Sequence, residues 1–429
     1  MKNKINIGLI GAGTVGGGTY KILKENFSEI FRKTGKEIIV FALAEKDTKK
    51  AKAIVDENTI IYEDAFDLVK DENIHIVIEL IGGIGVSKDL VKEAIKHKKH
   101  VVTANKALIA MHGEELVSLA HKHNVNLAYE AAVAGGIPII KAVREGLAGN
   151  KIEWIVGILN GTTNYILTEM KENNLAFDVA LKQAQELGFA EADPTFDIEG
   201  VDAAHKITIL ASIAFGIPIN FEAAHIEGIS NLDQKDIIYA EELGYKIKLL
   251  GVAEIINNKA YQRVHPTMIK KTSYIASIDG VLNAVIVDGQ PVGQSVIQGE
   301  GAGPEATTSA LISDISSIMR GNIKFPFSIS NKERKKIIFG NISDRSFSAY
   351  LRFDVLDKPG VLSNITNIFS KNKVSIKRLI QTPNKSKKFS SIIIITHNSK
   401  DKDLNKVVKQ TARKTYIKKR PKLIRIGNN

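Results

Sequence analysis

The stretch KINIGLIGAGTVGGG, residues 4–18, decides the fold. A short apolar run, 5–10, passes at once into Gly11-Ala12-Gly13-Thr14-Val15-Gly16, and a helical pattern starts near Val15. Each glycine has a separate reason to be there. The first allows the tight turn, the second lets backbone approach a pyrophosphate, and the third lets helix pack on strand. The helix start then offers free N–H groups and a positive dipole end to phosphates. Taken alone the pattern is weak. Here it lies within a repeating rhythm: EIIVFALA, IHIVIELIG, KHVVTANKA and VNLAYEAAV follow as Ile/Val-rich runs separated by helical stretches such as 87–97. That rhythm reads as a buried parallel sheet with crossover helices, an α/β dinucleotide-binding domain over residues 1–135.

The second run ends in Ala44-Glu45-Lys46-Asp47. An acid at that tip favours the free 2′-hydroxyl of NAD, whereas a cation accommodates the 2′-phosphate of NADP. Glu45 and Lys46 point in opposite directions, so the sequence leaves the choice open. Lys106, after Thr103-Ala104-Asn105, follows the fourth run and is expected to project toward the cofactor crevice, because ligands of such sheets bind at the carboxyl ends of strands.

From about residue 136 the rhythm changes. A helical stretch 137–146, a strand 154–159, helices 164–173 and 177–187, a long apolar helix 201–215 and a strand-rich section 247–297 predict an α+β domain over 136–303. A helix at 304–320 is expected to return to the nucleotide domain, and a turn-rich linker covers 321–344. Residues 345–429 read βαββαβ.

Asp202 and Lys206 lie four apart, on one face of the long helix, and Glu191, Asp193 and Asp197 precede them. Two readings stand equal: an ordinary i,i+4 pair, or carboxylates that hold an α-ammonium beside a lysine that moves a proton. Glu130, ahead of a Gly-rich turn, has the makings of a hard-cation site, although an acid at a strand end is the commoner case. His205, His121 and His123 lack partners at metal-ligand spacing.

Composition narrows the chemistry. With no cysteine among 429 residues, disulfides, thiolate metal sites and thiol nucleophiles are excluded, and a reducing compartment is expected. The start of the chain lacks the pattern of a signal peptide, and no apolar run approaches the ~20 residues that span a bilayer. The net charge of +12 belongs to the tail: residues 345–429 hold 21 basic and 4 acidic residues, and the rest holds 38 against 43. A phosphate-binding stripe of Lys385, Lys387, Lys388, Lys418, Lys419 and Arg420, on an amino-acid-sensing protein that binds nucleic acid, is the rival reading. No aromatic stacking pattern accompanies it.

The blocks GLIGAGTVGGG, ELIGG, VVTANKALIA, AYEAAVAGGIPII, GILNGTTNYIL, ELGFAEADPTFDIEGVDAAHKITILA and GEGAG, in this order, resemble homoserine dehydrogenases, and the tail with Asp357-Lys358-Pro359-Gly360 resembles an ACT regulatory domain. The resemblance implies interconversion of L-aspartate 4-semialdehyde and L-homoserine by hydride transfer with NAD(H) or NADP(H), in threonine and methionine synthesis. It implies Lys206 as general acid, Lys106 beside nicotinamide and substrate, and Gly188, Glu191, Asp197 and Asp202 around the amino-acid substrate. It assigns the cofactor to Gly11, Gly13, Thr14, Val15, Gly16, Lys46, Thr103, Lys106 and Gly303. It places a structural sodium-type cation at Glu130 with the carbonyls of Val133, Gly135 and Ile137, and a threonine effector near Asp357, Gly360 and Asn364. A cytoplasmic homo-oligomer, dimer or tetramer, completes the expectation. The absence of cysteine agrees: direct hydride transfer to an aldehyde needs no thioester.

Overall fold

A computed structural model describes residues 4–321, 326–330, 333–383 and 388–427. The first sheet is parallel throughout. Its strands are β1 (Lys4–Ile10), β2 (Glu37–Ala44), β3 (Ile60–Tyr62), β4 (Ile76–Glu79), β5 (His100–Thr103) and β6 (Leu127–Ala128), in the order β3-β2-β1-β4-β5-β6. That order reverses direction at β1 and opens the ligand crevice at the strands' carboxyl ends. Ile7, Leu9, Leu43, Val77, Ile78 and Val102 are fully buried, as expected for strands covered by helices on both faces. Strand β3 is not among the expected runs, because its three residues are too few to show a period.

The helix Pro304–Arg320 returns to this unit, where Thr308 and Thr19 share a hydroxyl–hydroxyl hydrogen bond of 3.0 Å. A Cβ on Gly18 would come within 2.7 Å of Pro304, so the glycine lets the two helices touch.

The remaining strands are β7 (Lys151–Ile158), β8 (His225–Ile226), β9 (Tyr245–Ile256), β10 (Lys259–Lys270), β11 (Leu282–Gln290), β12 (Gly293–Glu300), β13 (Ile338–Phe339), β14 (Ser346–Leu356), β15 (Ile376–Pro383), β16 (Phe389–Thr396), β17 (Ser399–Lys400) and β18 (Lys422–Ile426). Their main path runs β12-β11-β7-β9-β10-β18-β14-β16-β15. The helix Val201–Phe215 is apolar almost all round and buried against this sheet, and it ends at Gly216 in the left-handed region (φ +61°). The expected helix over 137–146 is broken instead. One α-turn, Ile139–Lys141, gives way to a π-turn, Ala142–Gly146.

The basic tail is not a tethered appendage. Strand β18 pairs in parallel with β10 (Thr267 opposite Arg425, Met268 opposite Ile426) and antiparallel with β14, so the tail's sheet continues that of the middle domain. Acids of the body meet the tail's arginines. Arg352 forks onto Asp236 (2.7 and 3.2 Å), Arg425 reaches Glu227 (2.8 Å), and Arg345 reaches Glu254 (3.1 Å). Part of the tail's positive charge thus docks the two units. Lys419 lies 3.8 Å from Asp233, and Lys418 covers the ring of Phe389. Lys385 and Lys387 lie outside the described residues. Between the units Phe327 is buried against Tyr129, and β13 pairs with β10.

Candidate active site

Four segments converge beside the crevice, and each has a local reason to be there. The buried helix Val201–Phe215 presents Asp202 and Lys206 on one face, as 3.6-residue periodicity requires. Lys206 Nζ donates to Asp202 Oδ2 (2.8 Å) and to the carbonyl of Leu159 at the end of β7 (2.7 Å). Lys106, first residue of the helix Lys106–Lys122 after β5, comes from the nucleotide domain and places Nζ 2.7 Å from Asp202 Oδ1. Asn160 Nδ2 bridges two carboxylates, Asp202 Oδ2 (2.9 Å) and Asp197 Oδ1 (2.7 Å).

The block Asn160-Gly161-Thr162-Thr163-Asn164 holds the site together. Asn160 Oδ1 caps the helix Gly161–Glu172 through the Thr163 N–H (2.8 Å). A Cβ on Gly161 would lie 2.6 Å from the Val281 carbonyl, so only glycine fits. Thr162 donates to the Phe189 carbonyl (2.6 Å) and so ties down the loop that carries Gly188 and Glu191. Asn164 donates to the carbonyls of Ile278 and Gly280 and accepts from Lys248, whose ammonium burial holds down to about 8. Sequence reasoning misses that Asn160 links the two acids. The available signal was a polar five-residue run placed directly after a strand.

The electrostatics separate the two lysines. Burial pulls the Lys206 ammonium below its ordinary value, and Lys106 pushes the same way; Asp202 opposes both. Lys106 is also desolvated, but Asp202, Asp197 and Glu191 outweigh that and raise it. Burial opposes ionisation of Asp202, yet Lys206, Lys106 and Asn160 hold it firmly as a carboxylate. Asp197 is pushed up by burial and by Asp202. His205, packed between Phe196 and Phe221, is driven by burial down to about 4 and is neutral near pH 7. Gly188 (φ +76°) and Glu191 lie at the exposed rim, with the Glu191 carbonyl held by Gln185.

The nucleotide side fits a dinucleotide. Gly11 is left-handed (φ +101°), and a Cβ on Gly16 would fall 2.0 Å from the Gly11 carbonyl oxygen. Gly13 has open space where a side chain would be, and the helix Thr14–Glu25 starts with no side-chain cap, leaving its first N–H groups for phosphate oxygens. Val15 follows on that first turn. Thr103 donates to buried Glu79 (2.6 Å), which also accepts the N–H groups of Ile81 and Gly82 (3.0 and 3.1 Å). Gly303 (φ +108°) starts the returning helix. Lys46 is exposed, whereas Glu45 turns inward onto the Ala12 N–H.

Glu130 is buried, accepts from the N–H of Ile140 (2.9 Å), and is raised to about 8 by desolvation and by Asp314. The turn beside it contains Ala134 and Gly135 at positive φ, with Val133 and Ile137 on either side. Asp314, buried beside Glu130 and 3.6 Å from Lys141, is likewise raised, to about 6, by desolvation. Among the described residues no cluster of three or more His, Cys, Asp or Glu forms a metal site. In the tail, a 340 Å³ cavity is lined by Asp357, Lys358, Gly360, Gln381 and Ser390. Gly360 (φ +84°) precedes the helix Val361–Lys371, and Asn364 turns back onto the Gly360 carbonyl (2.9 Å).

Comparison with known proteins agrees along the chain. Residues 138–316 match a family model described as homoserine dehydrogenase, 11–130 one described as homoserine dehydrogenase, NAD binding domain, and 349–413 one described as ACT domain. A homoserine dehydrogenase of Neisseria gonorrhoeae is 46% identical, with 94% of each chain covered. The crystal structure of a homoserine dehydrogenase from Thiobacillus denitrificans superposes with a TM-score of 0.93 at 45% identity, covering 99% of this chain and 98% of that one. A hyperthermophilic archaeal homoserine dehydrogenase in complex with NADPH gives a TM-score of 0.64 at 26% identity, covering 74% and 98%.

Proposed function

The chain belongs to the homoserine dehydrogenase family, an oxidoreductase with a nicotinamide-dinucleotide-binding domain and an ACT domain, and on that premise we propose how its residues act. The reaction is interconversion of L-aspartate 4-semialdehyde and L-homoserine, a step toward threonine and methionine. Bound NAD(H) or NADP(H) supplies or accepts the hydride. Lys206 gives its ammonium proton to the aldehyde oxygen as the carbonyl carbon is reduced; in the other direction its neutral amine takes the hydroxyl proton. Burial makes this lysine a better acid than a surface one, and Asp202 with the Leu159 carbonyl keeps Nζ aimed. Lys106 joins the two domains through Asp202 and faces the substrate. Glu191, Asp197 and Asp202 offer the carboxylates that hold the α-ammonium, and Gly188 leaves backbone room at the rim. Thr103 and Gly303 border the cofactor.

The observation that carries this reading is the buried Lys206–Asp202 pair, joined across the domain boundary by Lys106. A monovalent cation beside Glu130, Val133, Gly135 and Ile137 belongs to the proposal as a structural group, and no step passes through it. Threonine bound near Asp357, Gly360 and Asn364 is the proposed effector. Because β18 pairs with β10, deletion of the tail would cut into the middle sheet, so Asp357→Ala is the cleaner test of that idea. A cytoplasmic homo-oligomer completes the proposal. Among the described residues no helix is long and apolar enough to cross a membrane, and β12 ends the main sheet path with a free edge.

Steady-state oxidation of L-homoserine by the purified full chain tests the reaction. Homoserine-dependent formation of reduced nicotinamide is expected. Reduction with 2-hydroxy acids but not homoserine would overturn the assignment.

A further inference from the structure

At the carboxyl end of β2 two neighbouring residues carry opposite charge, and only one turns toward the glycine-rich loop. Glu45 Oε2 accepts the Ala12 N–H at 3.0 Å and Oε1 accepts the Asp47 N–H at 3.3 Å; the Glu45 N–H itself donates to the Tyr62 carbonyl at 3.0 Å. Two contacts, on the glycine loop and on the residue two ahead, hold the carboxylate, and the third ties its backbone to β3. Lys46 is exposed and its ammonium has no partner among the described residues. Asp47 is committed to capping the helix Thr48–Ile54 through the N–H groups of Lys49 and Lys50 (3.0 and 3.2 Å).

In this fold the adenosine ribose of a dinucleotide meets the end of the second strand. A carboxylate there is an acceptor only. It takes a hydrogen bond from a free 2′-hydroxyl, but against a 2′-phosphate it sets acceptor on acceptor and negative charge on negative charge. The lysines at 46, 49 and 50 oppose this, and their number must be weighed. All three are solvent-exposed side chains whose attraction is screened by water and salt and costs side-chain entropy to focus. Glu45 is held in advance and has no such entropy to lose. From this asymmetry we infer that the chain discriminates in favour of NAD(H) over NADP(H), with Glu45 as the specificity-determining residue and Lys46 as a bystander. The inference rests on the dehydrogenase reading for the turnover arm of its test, and on the glycine loop alone for the binding arm.

The binding arm titrates the full chain calorimetrically with 5′-AMP and with adenosine 2′,5′-bisphosphate, which differ only in the 2′-phosphate. The turnover arm compares kcat/KM for homoserine oxidation with NAD and NADP. The expected result is tighter binding of 5′-AMP and a tenfold or greater preference for NAD. Glu45→Gln keeps an acceptor for Ala12 and removes the charge, so it should lower both ratios at least tenfold; Glu45→Ser should do the same if the glutamine variant folds poorly. Lys46→Ala should change either ratio less than threefold. Preference for the 2′-phosphorylated partner in both arms, or a preference that collapses in Lys46→Ala and not at position 45, overturns the inference. Clear discrimination between the adenosine nucleotides with no homoserine turnover on either cofactor would leave the inference standing and sink the reaction instead.

Discussion

The middle domain carries two buried charge clusters, one at the crevice and one at the junction with the tail, and they are built from different cations. At the crevice, Lys106, Asp202, Lys206, Asn160 and Asp197 meet with two lysines, and one of those lysines is depressed by burial. At the junction with the tail, Arg352 forks onto Asp236, pairs with Asp354 and shares Asp236 with the Tyr350 hydroxyl (3.1 Å), while Ser391 donates to Asp354 (2.7 Å). Arginine cannot give up its proton at accessible pH, and its planar fork rewards fixed geometry. Lysine gives up a proton readily once buried. The acids at the junction hold Arg352 up despite its burial, whereas desolvation wins at Lys206. One cluster is a clamp; the other holds the lysine proposed above as the acid.

The largest effect expected of breaking this contrast is Lys206→Ala, with turnover lowered by about 100- to 10,000-fold and cofactor binding largely spared. Near-normal turnover would make the crevice pair as structural as the junction. At the clamp, Arg352→Met leaves Asp236 and Asp354 buried without their cation and should cost about 3–5 kcal/mol in denaturant unfolding, with kcat per folded molecule unchanged. A loss of kcat with unaltered stability would reverse the two roles.

Next in size is His205. Its folded value of about 4 lies below that of an unfolded histidine, ~6.5, so the native state favours the neutral ring. Its stabilising contribution is complete above pH ~6.5 and declines as pH falls toward 4, by about 3 kcal/mol at most. Urea unfolding of wild type and His205→Gln across that window should differ in slope; equal slopes would remove His205 from the account. The smallest effect is Lys106→Met, with about a tenfold loss in kcat/KM, near 1.4 kcal/mol, because Lys206 and its other partners remain.

The contrast also shows what was legible in sequence. The glycine turn, the parallel strands and the helix Val201–Phe215 follow from local period and were readable, as was the shared face of Asp202 and Lys206. Three things were not. The pairing of β10 with β18 joins residues about 158 apart in sequence, and no local pattern encodes such a partner. The choice between Glu45 and Lys46 turns on a single residue of register at a strand end, which decides the side chain that faces the loop. The role of Asn160 depends on two carboxylates some 40 residues downstream, whereas its own segment accounts only for its capping of the next helix.

The central claim, that Lys206 moves the proton and that its neighbours tune it, is tested most directly by the pH dependence of kcat/KM for homoserine oxidation. Oxidation needs the neutral amine, so the rate rises with pH through the Lys206 value. Asp202 holds that value up and Lys106 pushes it down. Asp202→Asn is expected to move the rising limb to lower pH and Lys106→Met to move it to higher pH. Limbs that stay where the wild type has them, or that move together in one direction, would contradict it.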